Sequence, residues 1–113
     1  MSSKIVSLSK SKDFKSILGG KKISNKYLTI FFKKLSNKDS KKLNISIVTK
    51  KKIGNAVKRN KIKRRLRNIM NDVAKKIDLN LKYCYLLIAK ISVLNEPYEN
   101  IKQTLFTDFE KIK

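Results

Sequence analysis

Histidine and tryptophan are absent from this 113-residue chain, which holds one cysteine, one proline and three glycines. Without an imidazole it lacks the side chain that most readily moves protons near neutral pH and ligates transition metals. A lone Cys84 forms no intrachain disulfide, which suits a reducing compartment. Set inside an apolar run, it reads as an inert core thiol rather than a nucleophile. The eight Asp and Glu are scattered, with no carboxylate cluster of the kind a two-metal nuclease needs. No glycine-rich phosphate loop is present; Gly54 stands alone. The longest nearly continuous apolar run, Tyr83 to Ala89, falls far short of the roughly twenty residues that span a bilayer. The N-terminus carries charge without the apolar stretch of a secretory signal. These absences lead us to expect a polypeptide incapable of phosphodiester cleavage by itself. They lead us to expect a cytoplasmic protein with no membrane partner, no small-molecule substrate, and no metal or other cofactor bound by the chain itself.

What is abundant is positive charge. Twenty-nine Lys and Arg against eight acids leave +21, while a 41% hydrophobic content is enough to bury a core. Such an excess repels itself in a compact state, and an anionic partner relieves the repulsion. Nucleic acid leads, because neutralising phosphates releases condensed counterions. A membrane surface or an acidic protein would also satisfy the charge.

No repeat or linker divides the sequence, so residues 1–113 read as one domain, with 1–9 a flexible basic arm. Asp13, Phe14, Ile17 and Leu18 predict a short first helix that Gly19 and Gly20 stop. Lys26 to Leu35 reads as a strand, with Leu28, Ile30 and Phe32 on one side and Tyr27, Thr29 and Phe31 on the other. Leu43 to Thr49 is a second strand, its Leu43, Ile45 and Ile47 opposite the smaller Ser46 and Val48. Lys21 to Asn25 adds a short strand ahead of these two. Ile62, Leu66, Ile69, Met70, Val73 and Ile77 follow the spacing of one helical stripe. Tyr83 to Ala89 reads as a buried strand that completes a β-α-β connection. Pro97 sits where a helix can start, ahead of a last stripe formed by Ile101, Leu105, Phe109 and Ile112. The expected fold is an α+β sandwich of order α-β-β-β-α-β-α.

The stretch KKKIGNAVKRNKIKRRLR, residues 50–67, holds ten Lys or Arg and no acid. At roughly 3.6 residues per turn, Asn60, Lys63, Arg64, Arg67 and Asn71 share a stripe about a third of a turn from the apolar one. Lys50, Lys51, Lys52, Lys58 and Arg59 cluster where strand gives way to helix. A merely soluble helix balances itself with acids four residues away, and none appears before Asp72. Gly54 permits a tight strand-to-helix turn or a close backbone approach by a partner.

The ordered run from Lys51 and Lys52 through Ile53, Gly54, Asn55, Ala56 and Val57 to Arg59, Asn60, Ile62, Lys63, Arg64 and Arg67 closely resembles the RNR motif of the bacterial ribonuclease P protein subunit. Asp13-Phe14, the strand from Asn25 through Phe31, and the late Tyr-rich strand before a final helix extend the resemblance across most of the chain. The resemblance implies an α-β sandwich with a left-handed β-α-β crossover, although nearly all such connections are right-handed. It implies an accessory subunit of an endoribonuclease that binds ribonuclease P RNA and the 5′ leader of precursor tRNA. The RNA and its Mg²⁺ ions perform the cleavage, so no catalytic residue is expected in this chain. By matching position, Arg59, Asn60, Lys63, Arg64 and Arg67 face RNA, supported by Lys51 and Lys52. Phe14, Leu18, Thr29 and Phe31 fall in the cleft that takes the leader. The chain departs from the family's usual pattern at Lys50, commonly Ser, at Ser46, often Gly, and at Leu18 and Phe31, commonly Phe and Tyr. The residues alone leave room for a general RNA-binding module, or for Phe14, Leu18 and Phe31 simply packing as core.

Overall fold

The computed structural model describes residues 5–7, 11–34, 43–77 and 83–112, with the side chains of 5–7, 11–14 and 43 outside that description. The elements are β1 (Ile5–Ser7), α1 (Ser11–Leu18), β2 (Lys21–Ser24), β3 (Leu28–Lys34), β4 (Leu43–Val48), α2 (Ala56–Lys76), β5 (Tyr83–Ala89) and α3 (Tyr98–Glu110). Short 3-10 turns at Lys51–Ile53 and Ile91–Leu94 precede α2 and α3. The five strands lie in the order β1-β4-β5-β3-β2. β4 and β5 pair in parallel across the α2 connection, while β3 runs antiparallel to both β5 and β2.

Apolar alternation sorts this sheet into two unequal cores. Leu28, Ile30 and Phe32 of β3, Ile45 of β4, and Tyr85 and Leu87 of β5 meet Ile62, Leu66, Ile69, Met70 and Val73 of α2 and Ile101, Leu105 and Phe109 of α3. Tyr85 and Phe109 pack edge to face with centroids 5.4 Å apart, a geometry that aligns ring edge with ring face. On the other face Ile17 of α1 is buried against Cys84 and Leu86, with Phe31, Val48 and Ile88 beside it. β5 is thus covered on both sides, as a run of Tyr, Cys, Leu and Ile without polar alternation requires. Gly20 lets α1 turn tightly into β2: a Cβ there would lie 2.6 Å from the carbonyl oxygen of Phe32.

Two expectations need correction. Within the stretch 1–9 taken as a flexible arm, Ile5 to Ser7 form an edge strand in parallel register with Leu43 to Ile45. Ile5 and Val6 are β-branched, and the otherwise open edge of β4 supplies backbone partners. The rest of that arm lies outside the described residues. Tyr27 does not share a face with Thr29 and Phe31; it is buried in the larger core beside Leu28. The strand begins at Leu28, two residues later than expected, because Oδ1 of Asn25 accepts from the backbone N–H groups of Tyr27 and Leu28 at 2.7 and 2.9 Å. That turn breaks the period of two before β3 starts.

Candidate nucleic-acid interface

Packing of α2 decides which of its residues remain outside. Ile62, Leu66, Ile69, Met70 and Val73 are buried, and Asn60, Lys63, Arg64 and Arg67 are exposed on the other side. The start of the helix is set by Asn55, whose Oδ1 accepts from the Lys58 N–H at 3.0 Å. Gly54 has φ of 152°, and a Cβ there would sit 2.9 Å from Cδ of Lys58. The tight turn alone therefore requires glycine at this position. Before it, Ile53 is buried and anchors the 3-10 turn, leaving Lys51 and Lys52 exposed beside the helix start.

Two arginines of the basic stretch behave differently from the exposed stripe. Arg59 is half-buried, and its Nε is buried with no hydrogen-bond partner in the structure. It leaves the first turn on the core side rather than beside Asn60. Arg65 donates from its guanidinium to the backbone oxygen of Glu96, tying α2 to the turn that precedes α3. That arginine is a structural clamp.

The cleft residues divide as well. Leu18 is 45% exposed at the end of α1, so it does not serve as core. Thr29 is half-buried, its hydroxyl 3.1 Å from that of Ser24. Phe31 is half-buried and packs against the smaller core while keeping part of its surface open. The Phe14 side chain lies outside the described set. From Thr29 a cavity of about 370 Å³ runs toward the helix start, lined among others by Lys50, Lys52, Ile88, Lys90 and Ile91. Lys90 is held there, donating to the backbone oxygen of Asn25 at 2.6 Å and to the Ser24 hydroxyl at 3.3 Å. Sequence reasoning left out Lys90 and Ile91. The available signal was a cation directly after a buried strand, but only the pairing of Thr29 with Ile88 brings it to the cleft.

The acids lie outside the basic stretch. Among the described side chains they are Asp72, Glu96, Glu99, Asp108 and Glu110, on the C-terminal half of α2, on α3 and on the turn between β5 and α3. Most are occupied: Asp72 accepts from the Tyr98 hydroxyl at 2.8 Å, Glu96 lies 3.4 Å from Lys26, and Asp108 accepts from Asn25. Burial, reinforced by Asp72, pushes the Tyr98 phenol up to about 12. No group of three or more His, Cys, Asp or Glu among the described residues is placed to hold a metal ion. No described helix is long and apolar enough to cross a membrane.

Fold and surface together define a small, strongly basic α+β protein with cations along one exposed helix face and at the rim of a sheet cleft. The chain belongs to the ribonuclease P protein family: the family model described as Ribonuclease P matches residues 3–113. It is 32% identical over 100 residues to the ribonuclease P protein component of Carboxydothermus hydrogenoformans, covering 87% of this chain and 83% of that one. With the corresponding component of Mycoplasma mycoides it shares 33% identity over 106 residues, 94% of each chain. The Staphylococcus aureus RNase P protein structure is similar at a TM-score of 0.73 and 28% identity, over 94% of this chain and 93% of that one. The Thermotoga maritima RNase P protein shares the fold at a TM-score of 0.77 and 24% identity, over 96% and 98% of the two chains.

Proposed function

We propose that this chain is the protein subunit of a ribonuclease P ribonucleoprotein in the cytoplasm, binding the catalytic RNA and the 5′ leader of precursor tRNA. The observation that carries the reading is the face of α2 on which Asn60, Lys63, Arg64 and Arg67 stand exposed opposite a fully packed stripe. No acid precedes Asp72 on that helix. Cations spaced along a rigid helix meet successive phosphates of a folded RNA, while Asn60 offers an uncharged donor and acceptor to a 2′-hydroxyl or base edge. Lys51 and Lys52, exposed at the helix start, extend the same surface.

The cleft supports the leader half of the proposal. A partly open Phe31 gives an unpaired base a ring to stack on, and the cavity from Thr29 to Lys50, Lys52 and Lys90 gives its phosphates cations. Ser46, half-buried on β4 on the far side of β5, is small enough to leave room for the leader's passage. The chain contributes binding and orientation. Mg²⁺ belongs to the RNA, which supplies the phosphodiester chemistry, and the protein holds the leader beside it.

Reconstitution with a cognate ribonuclease P RNA at low Mg²⁺ tests this reading. Added protein is expected to raise cleavage of precursor tRNA and to tighten binding of a leader-bearing substrate over mature tRNA. Unchanged cleavage and unchanged discrimination would reduce the chain to a general RNA-binding module.

A further inference from the structure

The exposed face of α2 carries one residue that charge does not account for. Val57 is 75% exposed, above Ile91 at 55% and Leu18 at 45% among the exposed large hydrophobics. Ala56 beside it is exposed too. At about 100° of rotation per residue, Val57 projects within roughly 20° of Arg64 and roughly 40° of Lys61, and about 140° from the buried Ile62. It therefore stands near the middle of the cationic face, pointing away from the core. A β-branched residue in a helix loses side-chain freedom, and a solvated position gives it no packing in return. For the free protein, Lys, Glu or Ala would serve better here.

We infer that Val57 is a direct RNA contact: flanked by Lys61 and Arg64, its side chain packs on the sugar and base surface of a shallow minor groove in folded RNA. The inference rests on the proposed RNA-binding role and names which surface of that RNA the helix meets. The minor groove of A-form RNA is wide and shallow enough to admit a helix face. Cations on either side of Val57 reach the two phosphate strands that border such a groove, and Asn60, one turn on, faces its floor. This contact contributes affinity that salt does not screen, unlike the phosphate contacts around it.

The test is a salt titration of the full-length protein on a cognate ribonuclease P RNA, comparing the wild type with Val57→Ala and Val57→Thr. Val57→Ala is expected to weaken binding about three- to fifteenfold at every salt concentration, the upper figure being what full burial of the two lost methyl groups implies. The slope against log salt stays at the wild-type value, and the midpoint of thermal unfolding stays put or rises, because alanine favours helix. Val57→Thr, similar in shape with a hydroxyl for one methyl, is expected to fall between the two. Affinity within twofold of wild type for both variants overturns the inference, and so does a changed slope or a lowered unfolding midpoint. If the wild type binds an unrelated structured RNA equally well, the subunit reading falls and this contact falls with it. A wild type that prefers the cognate RNA, with Val57→Ala equally tight, removes the contact alone.

Discussion

The side-chain amide of Asn25 donates to Oδ2 of Asp108 at 2.7 Å, across 83 positions of chain. The same amide oxygen accepts from the N–H groups of Tyr27 and Leu28, and the Asn25 carbonyl accepts from Lys90. One residue thus starts β3, fastens α3 to the sheet, and holds a cation at the cleft. Asp108 is buried, with Lys111 3.9 Å away as its other partner.

Asn25→Ala should therefore destabilise the protein by about 2 kcal/mol or more, since it strands a buried carboxylate and two backbone donors. Chemical denaturation of the single variants and of the double variant with Asp108→Ala would show coupling of about 0.5–3 kcal/mol. Strict additivity would mean that the 2.7 Å contact carries no energy of its own.

Gly54→Ala forces a side chain into a conformation with φ of 152° and against Lys58. A loss of about 1–3 kcal/mol is expected from backbone strain, read as a lower urea midpoint. Stability retained with RNA binding abolished would instead assign the glycine to close approach by a partner.

Arg64→Ala and Arg67→Ala remove exposed cations without touching the core. Each is expected to weaken binding and to flatten the dependence of log affinity on log salt by about 0.7–0.9 for each phosphate no longer neutralised. Arg65→Ala should differ, lowering stability by removing the bond to the Glu96 backbone while leaving the slope near wild type.

Phe31→Ala touches both a small core and the cleft. Its expected signature is a modest fall in unfolding midpoint together with a larger loss of affinity for leader-bearing precursor than for mature tRNA. Equal losses on both substrates would leave Phe31 a packing residue.

Alkaline titration reads the join between α2 and α3. The Tyr98 phenol, about 10 when unfolded, rises to about 12 in the fold through burial and the bond to Asp72. Burial raises Tyr85 as well. Groups raised in the folded state stabilise it fully below the unfolded value, and that share is lost as pH climbs from about 10 through about 12. Unfolding free energy should fall across this window, and Tyr98→Phe should make the fall shallower.

Much of the surface was legible in the residues. The 3.6 period of Ile62, Leu66, Ile69, Met70 and Val73 named the buried side of α2, so the exposed positions of Asn60, Lys63, Arg64 and Arg67 followed by rotation. Arg65 escaped the same reasoning, because a long side chain at the border of a stripe goes where a neighbouring element offers a partner, here the backbone oxygen of Glu96. Arg59 escaped it because its place in the first turn falls toward the buried stripe, where it stands half-buried. Tyr27 escaped it because a side-chain-capped turn shifted the start of the strand.

By itself the sequence determined the local properties: which segments are helical or extended, which face of each is apolar, where the cations gather, and that the chain has no imidazole. Those follow from covalent neighbours and short periodicities, which need no knowledge of the rest of the chain. Only the tertiary structure decided the pairing of Ile5 to Ser7 with β4, the reach of Asn25 to Asp108, and the meeting of Thr29 with Lys50, Lys52 and Lys90. Each of these joins residues distant in sequence through strand register or a helix docked on the sheet, and many local patterns are compatible with more than one such register.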